Sequence, residues 1–526
     1  MEIIYYMPFV NEKTYQKYAD REEEFHKEYE KAVEEFKSEL GREYNLIIGK
    51  DEVKSDQKFE VRVPFNRSLV LGYFQVANKE HINQAIIKAK EAFREWQNVD
   101  WKERVELSLR AAELLAREKF KLAAAISFEI GKNRYEAIAE VDETIDYFRY
   151  YAHILQENRG YIREMESRIY KNEKAYSVMR PYGVWFVISP FNFPLAITTT
   201  MSLGAIITGN TAVIKPSSDA PLSAYNLVKI LLRAGFPPGV ANYITGKGSE
   251  IVKHIITNND VSGLAFTGSK EVGHKLLKEF ISYNPRPVVL ELGGKNAVIV
   301  TAKADLKKAV EGVVRGAFGF GAQKCSATAR VYVEEQVFND FIKLLVERVK
   351  KIEIGDPTKR EVFLGPLINK DAVEKFKRFI KQAKDEGGEI LIGGKVIDEN
   401  NGYFVEPTVI INLPRSSELW KIEFFTPILL VEKIKDLDEG IKLANDVDYG
   451  LTAGIFSEDK KEIEYFFNNI QAGVVYANRT VGATTGAMPG VQPFGGWKHS
   501  GYTGKNAGGP YYLLSFMREQ ARTTYE

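Results

Sequence analysis

The sequence is poorest in cysteine. Cys325 is the only cysteine in 526 residues, which excludes an internal disulfide framework and any metal site built from several thiolates. The six histidines show no paired spacing of the kind that holds zinc, so no metal site is predicted. A chain without disulfides suits a reducing compartment, and we expect a cytoplasmic protein.

The sequence also lacks an excess of charge of either sign. Lys and Arg number 72 against 71 Asp and Glu, which leaves a net charge of +1, so no overall field attracts nucleic acid or an anionic membrane. The N-terminal stretch has no cationic region followed by an apolar one, and no apolar run approaches ~18 residues. The composition favours a small-molecule substrate, with neither nucleic acid nor membrane as partner.

Helical patterns dominate the chain before about residue 158. The closely spaced opposite charges of residues 20–41 predict a surface helix with a solvated face. The periodic stretch that follows Asn78 predicts a second helix capped by that asparagine.

From residue 180 onward, short apolar runs alternate with helical stretches. Runs such as "VWFVIS" and "TAVIKP" are uninterrupted, as expected for parallel strands that are covered on both faces. This pattern predicts an α/β fold with a Rossmann-like cofactor domain. A second series of strands and helices after Cys325 predicts a second α/β domain.

The predicted domain boundaries follow from this change of pattern. We expect a cofactor-binding domain over 1–162 and 182–292, including an N-terminal helical extension, and a catalytic domain over 293–507. Residues 163–181 and 508–526 are predicted to form exposed oligomerisation strands, because exposed strand edges find partners. A homodimer or a higher homo-oligomer is therefore expected.

Three residues are candidates for the chemistry. A lone cysteine is more often a small core residue than a nucleophile, so Cys325 needs neighbours that support its thiolate. Glu291 ends a strand before a Gly-Gly turn, where partial burial makes a carboxylate a candidate base; alternatively it bonds turn amides. Asn192 could donate to a developing oxyanion, or could simply precede the turn at Pro194.

Two further positions suggest nucleotide binding. Lys215 ends a predicted buried strand, where a cation could meet a ribose or phosphate; the alternative is an exposed strand-end lysine. Gly268 lies in a turn between a strand and a helix, where backbone amides can approach a phosphate, although such turns are often structural.

Five motifs place these candidates in the order of the NAD(P)-dependent aldehyde dehydrogenase superfamily, which the chain closely resembles. They are "PFNFP" (190–194), "GNTAVIKP" (209–216), "FTGSKEVG" (266–273), "ELGGK" (291–295) and "GFGAQKC" (319–325). The later stretches "GPLI", "EFFTP", "YGLTAGIFS" and "QPFGGWKHSG" match in the same order. The resemblance covers roughly residues 50–526.

This resemblance implies a mechanism. Cys325 would attack the aldehyde carbon, Asn192 and the Cys325 N–H would hold the oxyanion, and Glu291 would activate water for hydrolysis of the thioester. The implied cofactor-binding residues are Ser189, Pro190, Phe191, Lys215, Ser218, Gly268, Ser269, Glu423 and Phe425. NAD is the expected cofactor, and NADP stays open because Ser218 replaces the glutamate of NAD-restricted relatives.

Within the superfamily, "GFGAQKCSATAR", the loop "TVGATTGAMPGVQPFGGWKHSG" and "PFVNE" resemble the monofunctional 1-pyrroline-5-carboxylate dehydrogenases. These enzymes oxidise L-glutamate γ-semialdehyde to L-glutamate in proline catabolism. The implied substrate-binding residues are Ser326, Gly486 and Ala487 for the carboxylate, and Phe193 and Phe494 for the aliphatic part. Alternatively, Ser326 only caps a turn and Gly486 only turns a loop. Lys324 has no predicted role.

Three other functions are compatible with the same fold. An aldehyde dehydrogenase could prefer succinate semialdehyde or an aliphatic aldehyde. A CoA-acylating relative is less well supported, because Glu291 favours hydrolysis over thiol transfer. A non-catalytic binding protein would be expected to lack Cys325, Glu291 or Asn192, and all three are present.

Overall fold

The computed structural model describes residues 9–480 and 488–526, apart from the side chain of Tyr283. Its α-helices are α1 Thr14–Lys17, α2 Glu22–Lys37, α3 Lys79–Trp96, α4 Trp101–Arg117, α5 Lys119–Ile130, α6 Arg134–Glu157, α7 Ala196–Ile207, α8 Leu222–Ala234, α9 Gly248–Ile256, α10 Lys270–Tyr283, α11 Leu306–Phe318, α12 Phe338–Val349, α13 Lys370–Asp385, α14 Leu437–Asn445 and α15 Lys460–Asn469. The longest, α6, is almost entirely buried and forms the central helix of the N-terminal half.

The strands are β1 Arg42–Tyr44, β2 Leu46–Ile48, β3 Asp51–Val53, β4 Lys58–Arg62, β5 Val70–Gln75, β6 Ile162–Met165, β7 Glu173–Pro181, β8 Val184–Ile188, β9 Thr211–Lys215, β10 Ala241–Tyr243, β11 Val261–Thr267, β12 Val288–Glu291, β13 Asn296–Val300, β14 Thr328–Glu334, β15 Glu389–Ile392, β16 Val396–Asp398, β17 Phe404–Val405, β18 Thr408–Ile411, β19 Ile428–Ile434, β20 Tyr449–Gly450, β21 Thr452–Phe456, β22 Val474–Ala477, β23 Trp497–Lys498 and β24 Met517–Tyr525. Most of them form two large sheets and one small exposed sheet.

The first large sheet has the order β12-β11-β8-β9-β10-β2-β3. The strands from β12 to β10 run parallel, and β2 and β3 add an antiparallel edge. All five residues of β8 and of β9 are buried, because helices such as α3 and α7 pack against the sheet. This is the arrangement that the uninterrupted apolar runs predict.

The second large sheet has the order β15-β18-β19-β14-β13-β21-β22. It is parallel except for β15, which pairs antiparallel with β18 at one edge. Two apolar clusters cover its faces, one around α11 and α12 and the other around α13 and α14. The predicted α/β fold class is confirmed.

The third sheet consists of β24, β7 and β6 in that order, all antiparallel. Every residue of β24 after Met517 is exposed, as are all four residues of β6. The strand fills only the second half of the tail. Tyr512–Phe516 forms a short 3-10 helix instead, because Tyr512 and Phe516 pack against Gly204 of α7 in the core.

Helix α2 differs from the prediction of a solvated charged helix. Its outer face is charged, but Phe25, Tyr29 and Phe36 are buried, and the helix packs against α5. The apolar residues recur at helical spacing and form one stripe. The high charge of the stretch conceals this stripe. No helix in the described ranges is both long and apolar enough to cross a membrane.

Candidate active site

Four predicted site residues lie at one edge of the first sheet. Strands β8, β9, β11 and β12 are parallel, so their carboxyl ends share an edge, where ligands of open α/β sheets bind. Lys215 and Glu291 are the last residues of β9 and β12. Asn192 follows β8 and Gly268 follows β11. Gly268 N–H donates to the Glu291 carbonyl at 3.2 Å, which ties two of these ends together.

Cys325 lies in an irregular loop between α11 and β14, at the second sheet. Three successive residues before it, Phe320, Gly321 and Ala322, have positive φ values of 51°, 63° and 56°. Non-glycine residues in this left-handed region cost about 1–3 kcal/mol each, so the surrounding structure must hold them there. The conformation of this loop therefore depends on contacts with the residues around it.

One of these neighbours is Asn296, the first residue of β13. Its Nδ2 donates to the Cys325 carbonyl at 2.7 Å and to the Ala327 carbonyl at 2.8 Å. Its Oδ1 accepts from Thr452 N–H at 2.9 Å, which links the loop to β21. Sequence reasoning missed this residue, although it directly follows the "ELGGK" motif.

Gln323 holds the other side of the loop. This fully buried side chain donates from Nε2 to the carbonyls of Phe320 and Pro366, both at 3.2 Å. Its Oε1 accepts from Ile368 N–H at 2.8 Å. The amide thus uses its donors and its acceptor to fix the strained turn against the segment that carries "GPLI".

The environment of Cys325 holds its thiol protonated. Burial raises the pKa of Cys325 above its ordinary value, and the nearby carboxylates of Glu423 and Glu291 raise it further. The backbone N–H groups of Ser326 and Cys325 lower the pKa, with a smaller effect. Cys325 as a residue is nevertheless partly exposed.

The turn after Glu291 approaches Cys325, since a Cβ on Gly294 would lie 2.6 Å from the Cys325 carbonyl. Burial raises the pKa of the Glu291 carboxyl well above the ordinary value, against the effect of a hydrogen bond from Gly496 N–H. Its Oε2 has no hydrogen-bond partner within the described residues. A carboxylate with a raised pKa and an unused oxygen is suited to accept a proton from water near neutral pH.

The loop after β8 presents Asn192 and Phe193. The Asn192 side chain is buried, and it makes no hydrogen bond to another residue in the described ranges. Lys132 Nζ lies 3.3 Å from the Phe193 ring centroid and 5.0 Å from that of Phe320. Lys132 therefore joins the Asn192 loop to the loop of the nucleophile.

Lys132 is balanced by Glu140 of α6. The two side chains are fully buried and pair at 2.6 Å. The other carboxylate oxygen of Glu140 accepts from Leu195 N–H at 2.9 Å and Ala196 N–H at 3.2 Å, at the N-terminus of α7. This pair fixes the start of α7, and so the loop that carries Asn192. No pattern in the sequence identifies it.

Lys215, at the end of β9, is predicted to bind a ribose. Lys215 Nζ is buried, and its one hydrogen bond to a described residue goes to the Pro216 carbonyl at 2.7 Å. Burial lowers the pKa of Lys215 to about 8. A Cβ on Gly248, which begins α9, would lie 3.7 Å from Lys215 Cε. The ammonium of Lys215 thus keeps two N–H donors that no described residue accepts, and its contact with a ribose stays a prediction.

Glu423, Phe425 and Phe191 are further residues that are predicted to bind the cofactor. Glu423 Oε1 accepts from Gly294 N–H at 2.9 Å, and a Cβ on Gly293 would collide with its carboxylate. Burial raises the pKa of Glu423 to about 7. Phe425, at a φ of +57°, packs edge-on against Phe191 with ring centroids 5.8 Å apart.

The remaining cofactor candidates lie at the same sheet edge. Ser218 is exposed and donates to the Gly246 carbonyl at 3.2 Å. Ser269 caps α10 by accepting from Val272 N–H, and Ser189 N–H donates to the Lys215 carbonyl. Pro190 lies between Ser189 and Phe191 and is partly buried.

The predicted substrate residues are only partly described. Ser326 is buried next to Cys325. Phe494 and Ala507 exchange two backbone hydrogen bonds. Phe494 lies two residues before Gly496, whose N–H donates to the Glu291 carboxyl group. Gly486 and Ala487 lie outside the described residues. Lys324, for which no role is predicted, pairs with Glu136 at 2.5 Å.

Known proteins are similar to this chain over nearly all of its length. The sequence pattern of the aldehyde dehydrogenase family matches residues 52–521. The chain belongs to the aldehyde dehydrogenase family. It is 36% identical over 500 residues to a 1-pyrroline-5-carboxylate dehydrogenase of Geobacillus thermodenitrificans, covering 94% of this chain and 95% of that protein. The predicted family and fold are confirmed.

Solved structures agree with this assignment. A crystallised 1-pyrroline-5-carboxylate dehydrogenase from Thermus with bound NAD superposes with a TM-score of 0.93 at 34% identity, covering 99% of this chain and 100% of that one. Proline utilization A from Bdellovibrio bacteriovorus gives a TM-score of 0.92 at 35% identity. There the match covers 98% of this chain and 53% of the larger one.

Proposed function

We propose that this aldehyde dehydrogenase oxidises L-glutamate γ-semialdehyde, the open form of 1-pyrroline-5-carboxylate, to L-glutamate with NAD. The observation that carries the proposal is the close approach of the turn after Glu291 to Cys325, where a Cβ on Gly294 would lie 2.6 Å from the Cys325 carbonyl, in a chain similar over nearly all of its length to 1-pyrroline-5-carboxylate dehydrogenases. The product enters glutamate metabolism, and the reaction completes the oxidation of proline.

The chemistry begins at Cys325. Its proton passes to Glu291 and on to solvent, and the thiolate sulfur bonds to the aldehyde carbon. The carbonyl electron pair moves to oxygen, where the Asn192 amide and the Cys325 N–H stabilise the negative charge. Asn192 suits this role because its amide has no other described partner.

Bound NAD supplies the acceptor for the hydride that the substrate carbon loses. Cys325 is then left as a thioester. Glu291 accepts a proton from water as the water oxygen attacks that carbon, and the Cys325 sulfur departs as the glutamate carboxylate is released. Lys215 and Glu423 would hold the two riboses, with Gly268 and Ser269 at the pyrophosphate and Phe191 and Phe425 beside the nicotinamide.

Substrate selection depends on the residues that are proposed to bind the carboxylate of the substrate. The carboxylate of the semialdehyde would be anchored by Ser326 and the backbone of Gly486 and Ala487, while Phe193 and Phe494 flank its methylene groups. Such anchors favour substrates that carry the carboxylate, since an analogue lacking it leaves polar groups unpaired.

The decisive experiment compares three aldehydes. With NAD and purified protein, kcat/KM for glutamate semialdehyde should exceed that for propanal and for succinate semialdehyde by at least about a hundredfold. A preference for succinate semialdehyde or propanal would assign one of the alternative specificities. No turnover of any aldehyde, with NAD still bound, would indicate a binding protein.

Cofactor choice and assembly are part of the same proposal. We propose NAD as the working cofactor, with NADP accepted more weakly, because Ser218 carries no charge to repel a 2′-phosphate. The ratio of the kcat/KM values for NAD and NADP tests this.

The β6-β7-β24 sheet is proposed to join subunits into at least a dimer. Its exposed strands support this proposal, and sedimentation tests it. The free nucleophilic thiol supports a reducing, cytoplasmic location.

A further inference from the structure

The "GWKHSG" stretch at the end of the last sequence motif lies against the turn that follows Glu291. Leu292 N–H donates to the Ser500 carbonyl at 2.9 Å. At the start of the same stretch, Gly496 N–H donates to the Glu291 carboxyl group. The stretch therefore contacts both the side chain of the proposed base and the backbone next to it, although the mechanism gives these residues no role.

Ser500 also contributes its side chain, which is fully buried. Its Oγ donates to the Gly293 carbonyl at 2.7 Å and accepts from Gly450 N–H at 3.1 Å. Gly293 lies two residues after Glu291, at the first large sheet. Gly450 ends β20, just before β21 of the second large sheet. One hydroxyl group thus connects the turn after the proposed base to the second sheet.

The stretch is folded tightly on itself. A Cβ on Gly496 would lie 2.4 Å from Ser500 Cβ, and a Cβ on Gly501 would lie 2.5 Å from the Gly496 carbonyl oxygen. His499 N–H donates to the Asp448 carbonyl at 3.0 Å, which attaches the stretch to the segment before β20. Such close packing leaves no space for independent movement. The Gly496 N–H and the Ser500 hydroxyl therefore keep a fixed position relative to each other.

The carboxyl group of Glu291 needs such support. It is buried, and its Oε2 has no hydrogen-bond partner among the residues that the structure describes. We propose that Ser500 is a positioning residue for Glu291: its hydroxyl holds the turn after Glu291 where the carboxylate can take a proton from the attacking water. This inference rests on the proposed role of Glu291 as the base.

Ser457 offers a matched comparison. It is also fully buried, and its Oγ donates to Glu462 Oε2 at 2.6 Å and accepts from Asp459 N–H at 3.1 Å. Ser457 follows the last residue of β21, whereas Thr452, the first, is the one that binds Asn296 of the candidate active site. Ser457→Ala therefore removes as many hydrogen bonds as Ser500→Ala, at the opposite end of the strand.

The test is a double-mutant cycle in the full-length protein, with the aldehyde that wild type oxidises fastest. Ser500→Ala alone should lower kcat about tenfold, because a misplaced base assists the water less well. In the Glu291→Gln background the same substitution should lower kcat by less than about twofold, because no base is left to misplace. Ser457→Ala should leave kcat within about twofold in either background.

A tenfold loss in both backgrounds would overturn the inference, because Ser500 would then act on the fold and not through Glu291. An unchanged kcat for Ser500→Ala would overturn it as well. Thermal unfolding checks beforehand that each variant is folded. If Ser500→Ala is not, Ser500→Cys replaces it in the same cycle, because its thiol fills the space but forms weaker hydrogen bonds.

Hydrogen exchange provides a readout that needs no substrate. The amides of Leu292 and Gly450 should exchange about tenfold faster in Ser500→Ala than in wild type or Ser457→Ala. Unchanged exchange would show that the Ser500 hydroxyl does not hold the turn, and would overturn the inference. If Glu291→Gln keeps the kcat of wild type, or if wild type oxidises no aldehyde, the proposed function fails, and the exchange rates alone decide whether Ser500 holds the turn.

Discussion

The two large sheets contribute to the candidate active site in different ways. On the first sheet, Lys215 and Glu291 end regular parallel strands, so strand hydrogen bonds fix the backbone at both residues. On the second, Cys325 lies in a loop with three successive positive φ values, held by the side chains of Asn296 and Gln323. Strand backbone thus positions Lys215 and Glu291, whereas buried side-chain amides position the loop of Cys325.

Three buried asparagines make this difference measurable. Asn192 has no hydrogen bond to a described residue. Asn296 makes three bonds to backbone groups, two of them in the nucleophile loop. Asn242, within the first sheet, also makes three, to Gly49, Ala212 and Gly239. We expect Asn192 to contribute to activity, Asn242 to stability, and Asn296 to both.

The largest effect is expected at the nucleophile itself. Cys325→Ala should lower kcat by at least about 10³-fold, because no covalent intermediate can form. NAD affinity, measured by fluorescence titration, should stay within about twofold, since the cofactor residues belong mainly to the first sheet. Retained turnover would remove Cys325 from the mechanism, and lost NAD binding would show that the loop supports the cofactor region as well.

Asn192→Ala should give the next largest loss. Removing one oxyanion donor lowers kcat by about 10²–10³-fold. The free energy of unfolding, from urea denaturation, should change by less than about 1 kcal/mol, because no described hydrogen bond is lost. A large loss of stability with little loss of kcat would reverse the assignment and make Asn192 a structural residue.

Asn296→Ala should affect both properties. Loss of its three bonds leaves buried carbonyls unpaired and should lower the free energy of unfolding by about 3 kcal/mol. The relaxed loop misplaces Cys325, so kcat should fall by about 10- to 100-fold. Asn242→Ala is the matched control: a similar loss of stability with kcat within about twofold. Equal kcat losses in both variants would show that activity simply follows stability.

The smallest effect concerns the charge around Cys325. Because burial, Glu423 and Glu291 raise the pKa of the thiol, alkylation by iodoacetamide should be slow at pH 8 and should accelerate as pH rises further. Glu423→Gln removes one negative charge and lowers that pKa, so alkylation at pH 8 should become several-fold faster. An unchanged rate would show that Glu423 does not influence the sulfur.

The contrast between the sheets also explains what the sequence could predict. Apolar runs and strand-end motifs were sufficient for the α/β class, and they placed Lys215 and Glu291 at strand ends, where the structure has them. Family resemblance pointed to Cys325. Asn296 and Glu140 were not identifiable, because each acts on residues far away in the chain, and no local pattern encodes such a contact.

The buried face of α2 was missed for a different reason. Its charged residues dominate the composition, while the apolar stripe of Phe25, Tyr29 and Phe36 becomes evident only from their spacing. Tyr512–Phe516 is a similar case: the stretch looks like the start of a strand, but its aromatic side chains are drawn into the core beside Gly204. In both segments tertiary packing, and not local preference, decided the outcome.

The raised pKa of the Cys325 thiol affects how readily the protein is oxidised. Peroxides attack thiolates far more readily than thiols, and oxidation beyond the sulfenic state is generally irreversible. Cys325 is the one sulfhydryl group in the chain, and the neighbouring carboxylates that delay its ionisation also delay its oxidation. A thiol with a raised pKa is mostly protonated at neutral pH, so we expect peroxide to oxidise Cys325 slowly in the resting protein.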